Sequence, residues 1–200
     1  MINFFHKKVN PVNPTNFVKG FLHESADSLV QVFHKSNHHI LAKFYEYALY
    51  DRSAETIPAM VALLDFEMQP TTEKRDFIMR NFVPETADFG VNVEGKIRKR
   101  VVENVALEEM TKANFRRVRR GAFIKQEVRP FMLSQMPTTF ENTGLAGGIF
   151  ASMSDTWIRY SGNVDLPNPS GMDSILASYR RLACDMTQAG FNVPRCMLAI

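Results

Sequence analysis

Three histidines in the first quarter of the chain have a spacing that suggests metal chemistry. His34 and His38 are four residues apart, so a helix would place them on one face, with His39 beside them. The zinc-hydrolase pattern HExxH needs a glutamate that HKSNH does not have, and no cluster of carboxylates or thiols completes a site. We therefore expect histidines at the surface or facing a partner, and we predict no metal site.

Two other patterns fall short of a catalytic site. Glycines cluster in GLAGGIF, residues 144–150, but the GK[ST] ending of a phosphate-binding loop is absent and no strand is predicted before them. No Ser-His-Asp or Cys-His arrangement occurs in a recognisable motif. The sequence predicts no catalytic side chain and no cofactor, and it leaves open whether the protein takes part in catalysis in another way.

Positive charge is concentrated between residues 96 and 129. This window holds eleven basic and four acidic residues, a net charge of +7, whereas the whole chain carries +3. Such a patch can attract nucleic acid or an acidic surface. However, aromatic residues are not interleaved with the arginines of residues 116–120, and no known nucleic-acid-binding module is present. Nucleic-acid binding is therefore the less favoured hypothesis, and the charges have a simpler interpretation as the solvated side of helices.

Length and composition indicate a soluble chain with one main domain. The chain has 200 residues, of which 45% are hydrophobic and 22% charged, close to the average for globular proteins. The longest weakly polar stretch, residues 144–153, is about half the length needed to cross a bilayer. The start lacks the features of a secretory signal, and the two cysteines, Cys184 and Cys196, suit a reducing compartment. We expect a cytoplasmic protein without a transmembrane segment.

Hydrophobic periodicity predicts an all-α fold without strands. Residues 1–20 contain two Asn-Pro pairs and are predicted to form an irregular arm, followed by a helical domain over residues 21–136. Ser53 is a candidate N-cap, and Pro58 predicts a kink or a later helix start. The predicted helices cover a segment after Ser25, then residues 40–51, 54–66, 73–82, 96–105, about 107–120 and 122–132.

The helices predicted in the basic window have apolar positions that should face a core: Ile97, Val101, Val102 and Val105 in the first, and Met110, Phe115 and Val118 in the second.

Residues 137–200 are predicted to be a C-terminal extension with one amphipathic helix at about 172–189. Ser170 and Asp173 have the spacing of a capping box at its start. We expect its apolar stripe to pack on the main body, the alternative being a self-association interface. The stripe consists of Ile175, Leu176, Tyr179, Leu182, Ala183 and Met186.

The order of several short motifs resembles a known family. Phe82-Val83 is followed by PETADFG and then by the turn Val91-Asn92-Val93-Glu94-Gly95, with Arg98 and Asn104 after it. Together these segments, over about residues 28–135, resemble the regulator of G-protein signalling (RGS) domain. The other matching segments are Phe33-His34-Lys35-Ser36, Phe44-Tyr45 and IKQEVRPFMLS at residues 124–134.

The resemblance implies an RGS-like multi-helix bundle that binds the switch regions of a Gα-type GTPase and speeds GTP hydrolysis without contributing a catalytic side chain. It implies that Asn92 is the central contact, with Glu94 where the family usually has Asp. Glu127 and Arg129 correspond to the acidic and basic contacts of the last loop.

One part of the family pattern is missing from this chain. The Glu-Asn pair that precedes the aromatic pair has no counterpart, because His39-Ile40 or Ile40-Leu41 stands there, and Asn37 is the candidate substitute. The alternatives are a basic adaptor that binds nucleic acid or an acidic surface, a non-catalytic scaffold, and a self-associating structural protein.

Overall fold

A computed structural model describes residues 29, 32–33, 37–121, 139–140, 142–162 and 171–200, and within the long central helix it describes side chains as far as residue 110. These parts of the chain form seven helices and no strand, which confirms the predicted all-α class for them. The helices are α1 His38–Tyr50, α2 Thr56–Met68, α3 Thr72–Asn81, α4 Gly95–Gly121, α5 Leu145–Gly162, α6 Met172–Gln188 and α7 Arg195–Leu198.

Helix α2 starts later than Ser53, as Pro58 predicts. Its N-cap residue is Glu55, so Pro58 lies in the first turn, where a missing backbone N–H leaves no helical hydrogen bond unmade. The prediction that Ser53 caps this helix is wrong, because the Ser53 hydroxyl donates instead to Asp51 Oδ2 over 2.8 Å.

Helices α2 and α3 form a hairpin that encloses an ion pair. Thr71 caps α3 by accepting a hydrogen bond from the Lys74 backbone N–H at 3.2 Å. The Lys74 ammonium lies 2.6 Å from Asp65 Oδ2, and both side chains are almost fully buried. The same ammonium lies 5.6 Å from the centre of the Phe191 ring, which brings the end of α6 against the hairpin.

Residues 95–121 form one continuous helix, α4, in place of the two that were predicted. Val101 is fully buried and Ile97 packs against the core, as expected. Val102 is 54% exposed and Met110 is 62% exposed, so the inward predictions for these two are wrong. The reason is helical geometry: at about 100° per residue, Val102 points away from its neighbour, and Met110, nine residues after Val101, lies on the opposite side of the helix.

Several predictions concern residues that the structure does not describe. They are the arm at 1–20 and the helix at 122–132; for Phe115 and Val118, the side chains lie outside the described part of α4, so their inward orientation stays a prediction.

The described residues after position 138 form three helices where the sequence predicted one. Helix α5 contacts α1, α2 and α4, and its buried side chains include Leu145, Ile149 and Met153. The ring of Trp157 meets that of Phe44 edge-on at a centroid distance of 5.0 Å. These buried side chains belong to the same hydrophobic core as those of α1–α4.

Helix α6 occupies residues 172–188, close to the predicted 172–189. Its apolar stripe packs on the main body as predicted, with Leu182, Ala183 and Met186 buried. The N-cap residue is Gly171, with a φ of 78° that favours glycine, and not the serine of the predicted capping box, which lies outside the described residues. None of the helices that the structure describes is long and apolar enough to cross a bilayer.

Candidate partner-binding loop

Residues 83–94 join α3 to α4 and contain the turn that carries the family resemblance; we call them the 83–94 loop. Its backbone is folded by hydrogen bonds of its own. The Ala87 N–H donates to the Pro84 carbonyl at 3.2 Å, and the Gly90 N–H donates to the Ala87 carbonyl at 2.9 Å. The Val91 N–H then donates to the Phe82 carbonyl at 3.0 Å. The loop therefore closes back on the end of α3 before the chain enters α4.

Gly90 is the residue that this folding requires. A Cβ atom at position 90 would lie 2.4 Å from the Pro84 carbonyl oxygen and 3.2 Å from that of Ala87. Both neighbours are backbone atoms that cannot rotate away. A larger residue at this position would force the loop to open.

The Asn92 side chain is exposed to solvent, whereas the backbone on either side of it is held in place. Its neighbours Val91 and Val93 are 0% and 8% exposed, whereas Asn92 itself is exposed. The Val93 N–H also donates to the Val91 carbonyl at 3.1 Å. The two buried valines hold the backbone on either side, so the Asn92 amide, which both donates and accepts hydrogen bonds, is presented outward.

Arg98, in the first turn of α4, makes hydrogen bonds to residues near both ends of the loop. Its guanidinium donates to the Val83 carbonyl and, over 2.8 Å, to the Val91 carbonyl. The interpretation of the basic run as a solvated helix side is confirmed for its neighbours Lys99 and Arg100, which are exposed, but it is wrong for Arg98. The fork-shaped guanidinium can serve two carbonyls at once, which a lysine ammonium does less well.

The Glu94 backbone accepts the first hydrogen bonds of α4, and the Glu94 side chain is exposed to solvent. Its carbonyl accepts hydrogen bonds from the Ile97 and Arg98 N–H groups, at 2.8 and 3.2 Å. Its carboxylate lies 2.5 Å from the Lys96 ammonium, but both side chains are more than 60% exposed, so this ion pair adds little stability. The carboxylate remains accessible two residues from Asn92.

The other predicted contacts are not part of this loop. Asn37 is a half-buried residue that precedes α1, and its side chain makes no capping hydrogen bond to that helix. Glu127 and Arg129 lie outside the described residues. The structure thus brings Asn92 and Glu94 together, and places Asn37 at the start of a different helix.

Two helices beyond the RGS-like segment support the loop, which the sequence did not predict. A Cβ atom on Gly148 of α5 would lie 2.9 Å from Val93 Cγ1, so the glycine lets α5 approach the loop closely. On α6, the Tyr179 ring meets the Phe89 ring edge-on, with the centroids 5.1 Å apart. Each contact joins residues distant in sequence, so no local pattern indicated it.

Burial raises the pKa of three titratable groups behind the loop. The pKa values of the Tyr45 and Tyr179 hydroxyls lie far above their usual value. Burial also raises the pKa of Glu55, at the start of α2 near Tyr179. On this side of the loop, the Tyr179 ring contacts the Phe89 ring.

No metal or reaction centre emerges from the described residues. Within them, no group of three or more His, Cys, Asp and Glu side chains is placed to hold a metal ion; His34 lies outside them. A cavity of 540 Å³ lies between α1, α2 and residues 192–196. Its lining is largely apolar, and its carboxylate, Asp65, is already paired with Lys74.

No protein family, curated protein or solved structure matches the chain. The resemblance to the RGS family therefore stays a prediction based on the residues themselves, and two of its predicted contacts, Asn92 and Glu94, lie on the 83–94 loop, whose geometry the structure describes.

Proposed function

We propose that this protein binds the switch regions of a Gα-type GTPase through the 83–94 loop and accelerates GTP hydrolysis without contributing a catalytic side chain. The observation that carries the proposal is the exposed Asn92 amide between two buried valines, at the position that the RGS resemblance assigns to the central contact. An exposed polar group on a restrained loop suits recognition of a partner better than it suits a role in the core.

The proposed mechanism needs no nucleophile or general base from this chain. A Gα subunit already carries the arginine that stabilises the transition state and the glutamine that positions the attacking water. A partner that immobilises those groups lowers the barrier by preorganisation. The hydrogen bonds that fold the 83–94 loop before binding reduce the entropy lost when it docks.

The test is a screen of the full chain against Gα subunits and small GTPases. Each GTPase is loaded with GDP, with GTP and with GDP plus aluminium fluoride, which imitates the transition state. Affinity is measured for each nucleotide state, and GTP hydrolysis is followed over a single turnover. We expect the tightest binding to the transition-state form, because catalysis requires an interaction that strengthens there.

Variants of exposed residues separate a specific contact from general charge attraction. Asn92→Ala should weaken binding by at least about tenfold, which corresponds to roughly 1.4 kcal/mol. The matched controls Thr86→Ala, on the same loop, and Arg100→Ala, in the basic run, should change affinity by less than about twofold. If Asn92→Ala and Arg100→Ala have equal effects, the contact is electrostatic and the proposed role of Asn92 is refuted.

Different results would refute the two parts of the proposal, which are binding to a GTPase and acceleration of its GTP hydrolysis. Absence of nucleotide-dependent binding to any GTPase in the screen would refute it entirely. Binding without faster hydrolysis would refute activation and leave a scaffold, an outcome relevant here because the Glu-Asn pair of the family is missing. A nucleic-acid adaptor would instead lose affinity for its ligand steeply with salt and ignore the nucleotide state of a GTPase.

A further inference from the structure

We infer that helix α6 is a positioning element for the 83–94 loop, and that Tyr179 controls partner binding through its contact with the Phe89 ring. The effect on binding rests on the proposed function, whereas the effect on loop order does not. The inference gives the C-terminal residues a part in the candidate site, although they lie outside the RGS-like segment.

The contact joins the outer half of the loop to α6. Phe89 is half-buried, and its ring plane is inclined at 66° to that of Tyr179 with 5.1 Å between the centroids, a favourable edge-to-face arrangement. Phe89 is three residues before Asn92. The two residues that immediately follow it are Gly90 and Val91, whose N–H groups make the hydrogen bonds that fold the loop.

Tyr179 is itself held by the core. Its ring lies 6.3 Å from that of Tyr45 at an angle of 80°, and Tyr45 is fully buried on α1. Farther along α6, Leu182 and Met186 are also buried and fix the helix against the body. A continuous series of packed rings therefore runs from the core through Tyr179 to Phe89.

Other parts of the loop have different supports. Arg98 holds its two ends at the Val83 and Val91 carbonyls, and Gly148 lets α5 contact Val93. Between the loop ends, the Ala87 and Gly90 hydrogen bonds are internal to the loop and do not attach it to the body. In the part of the chain that the structure describes, Phe89 makes an aromatic contact with Tyr179 alone. The outer half of the loop thus depends on α6 for its position.

The contact between Phe89 and Tyr179 helps to fix the position of the exposed Asn92. Phe89 also packs against the core, but without the Tyr179 ring it loses its contact with α6, so the segment leading to Val91 opens more readily. The chemical groups that would contact a GTPase are unchanged, but they are no longer preorganised, so affinity falls through an ordering cost. The contact is made by the two rings, so the hydroxyl of Tyr179 is not required for it.

The test compares Tyr179→Ala and Tyr179→Phe with a matched control, Tyr160→Ala. Tyr160 is a half-buried tyrosine on α5 whose ring packs on Phe44, Tyr47 and Trp157, away from the loop. Hydrogen exchange of the backbone amides at positions 90 and 91 reports loop order without any partner. Affinity for the transition-state form of the GTPase found in the screen reports function.

We expect Tyr179→Ala to speed exchange at positions 90 and 91 by at least about tenfold, which corresponds to roughly 1.4 kcal/mol of local stability, and to weaken partner binding at least fivefold. Amides in the middle of α3 should gain less than those at positions 90 and 91, because they report only the loss of global stability. Tyr179→Phe should match the original protein in both measurements. Tyr160→Ala should lower the free energy of unfolding. It should leave unchanged the ratio of the amide exchange rates at positions 90 and 91 to those in the middle of α3.

Each departure from this pattern overturns a stated part of the inference. Unchanged exchange at positions 90 and 91 in Tyr179→Ala would refute the positioning role, as would equal acceleration in Tyr160→Ala. A Tyr179→Phe variant that behaves like Tyr179→Ala would refute ring packing as the cause. Faster exchange with unchanged affinity would refute the effect on binding.

A second variant keeps the test decisive if Tyr179→Ala does not fold. Phe89→Ala removes the other ring of the pair from the loop itself, and should give the same increase in exchange. If no GTPase binds the original protein, the proposed function fails while the exchange data still decide the positioning role.

Discussion

Replacing Arg98 by alanine tests whether the 83–94 loop is held from α4. The substitution removes hydrogen bonds to the Val83 and Val91 carbonyls, on residues that are 3% and 0% exposed. The buried Val83 carbonyl loses the Arg98 guanidinium, which costs about 1–3 kcal/mol. The Val91 carbonyl keeps the Val93 N–H but loses a charge-assisted hydrogen bond of about 1.5–3 kcal/mol, so the upper limit is near 6 kcal/mol. Because Arg98 is only half-buried, water can reach part of the vacated space. We therefore expect a loss of about 2–4 kcal/mol.

Urea denaturation gives the free energy of unfolding for this comparison, and thermal unfolding gives a second measure. For a chain of this length, 1 kcal/mol corresponds to roughly 2–4 °C, so the expected fall in Tm is about 5–15 °C. Arg100→Ala is the matched control, because Arg100 is exposed on the same helix. It should change stability by no more than about 0.5 kcal/mol.

Arg98→Lys distinguishes hydrogen-bond geometry from charge. A lysine keeps the positive charge but lacks the planar fork that serves both carbonyls, so it should recover less than half of the lost stability. If Arg98→Ala costs no more than Arg100→Ala, or if Arg98→Lys restores full stability, the guanidinium does not hold the loop in the way described.

Three further predictions test the packing and the charges around the core. Gly148→Ala should cost about 1–3 kcal/mol in urea denaturation by crowding the loop valine, whereas Gly95→Ala, which meets no atom within 4 Å, should be neutral or stabilising. Lys74→Met should cost about 3–5 kcal/mol by leaving Asp65 buried without its cation, and adding Asp65→Leu should restore most of the loss; a double variant as unstable as the single one would contradict this. Burial raises the pKa of Glu55 in the folded state, so ionisation of its carboxyl lowers stability as the pH rises through and above its usual value of 4.5. Glu55→Gln should therefore raise Tm at pH 7 but not at pH 4, and equal shifts at both pH values would refute the electrostatic cause.

The helices with strong periodicity could be predicted from the sequence, and those shaped by tertiary contacts could not. Helix α6 was placed within about one residue because its apolar positions recur at helical intervals. Helix α5 was missed because its first turns contain adjacent glycines, which lower helix propensity. Position 148 favours glycine for a different reason, the closeness of Val93, and that contact is visible only in the folded chain.

The candidate site also combines features that the sequence could predict with features that depend on tertiary contacts. The exposure of Asn92 between two inward valines follows from alternation within a short turn, so sequence reasoning could find it. The role of Arg98 depends on where two backbone carbonyls meet after the loop folds, and the helical wheel assigned this residue to solvent together with its exposed neighbours. The contribution of Tyr179 depends on a contact across 90 positions of sequence.

These contacts decide how the function of the C-terminal residues should be tested. A chain that ends near residue 135 would lose the buried side chains of α5 and α6, among them Leu145, Met153 and Met186, and with them part of the common core. Failure of such a fragment to bind a GTPase would not distinguish a lost contact from a lost fold. Its self-association would be equally ambiguous, because the apolar stripe of α6 packs on the body that truncation leaves uncovered. Single substitutions at positions 148 and 179 retain α5 and α6 in the chain and alter one support of the loop at a time, so in a folded variant they attribute a change in binding to that support.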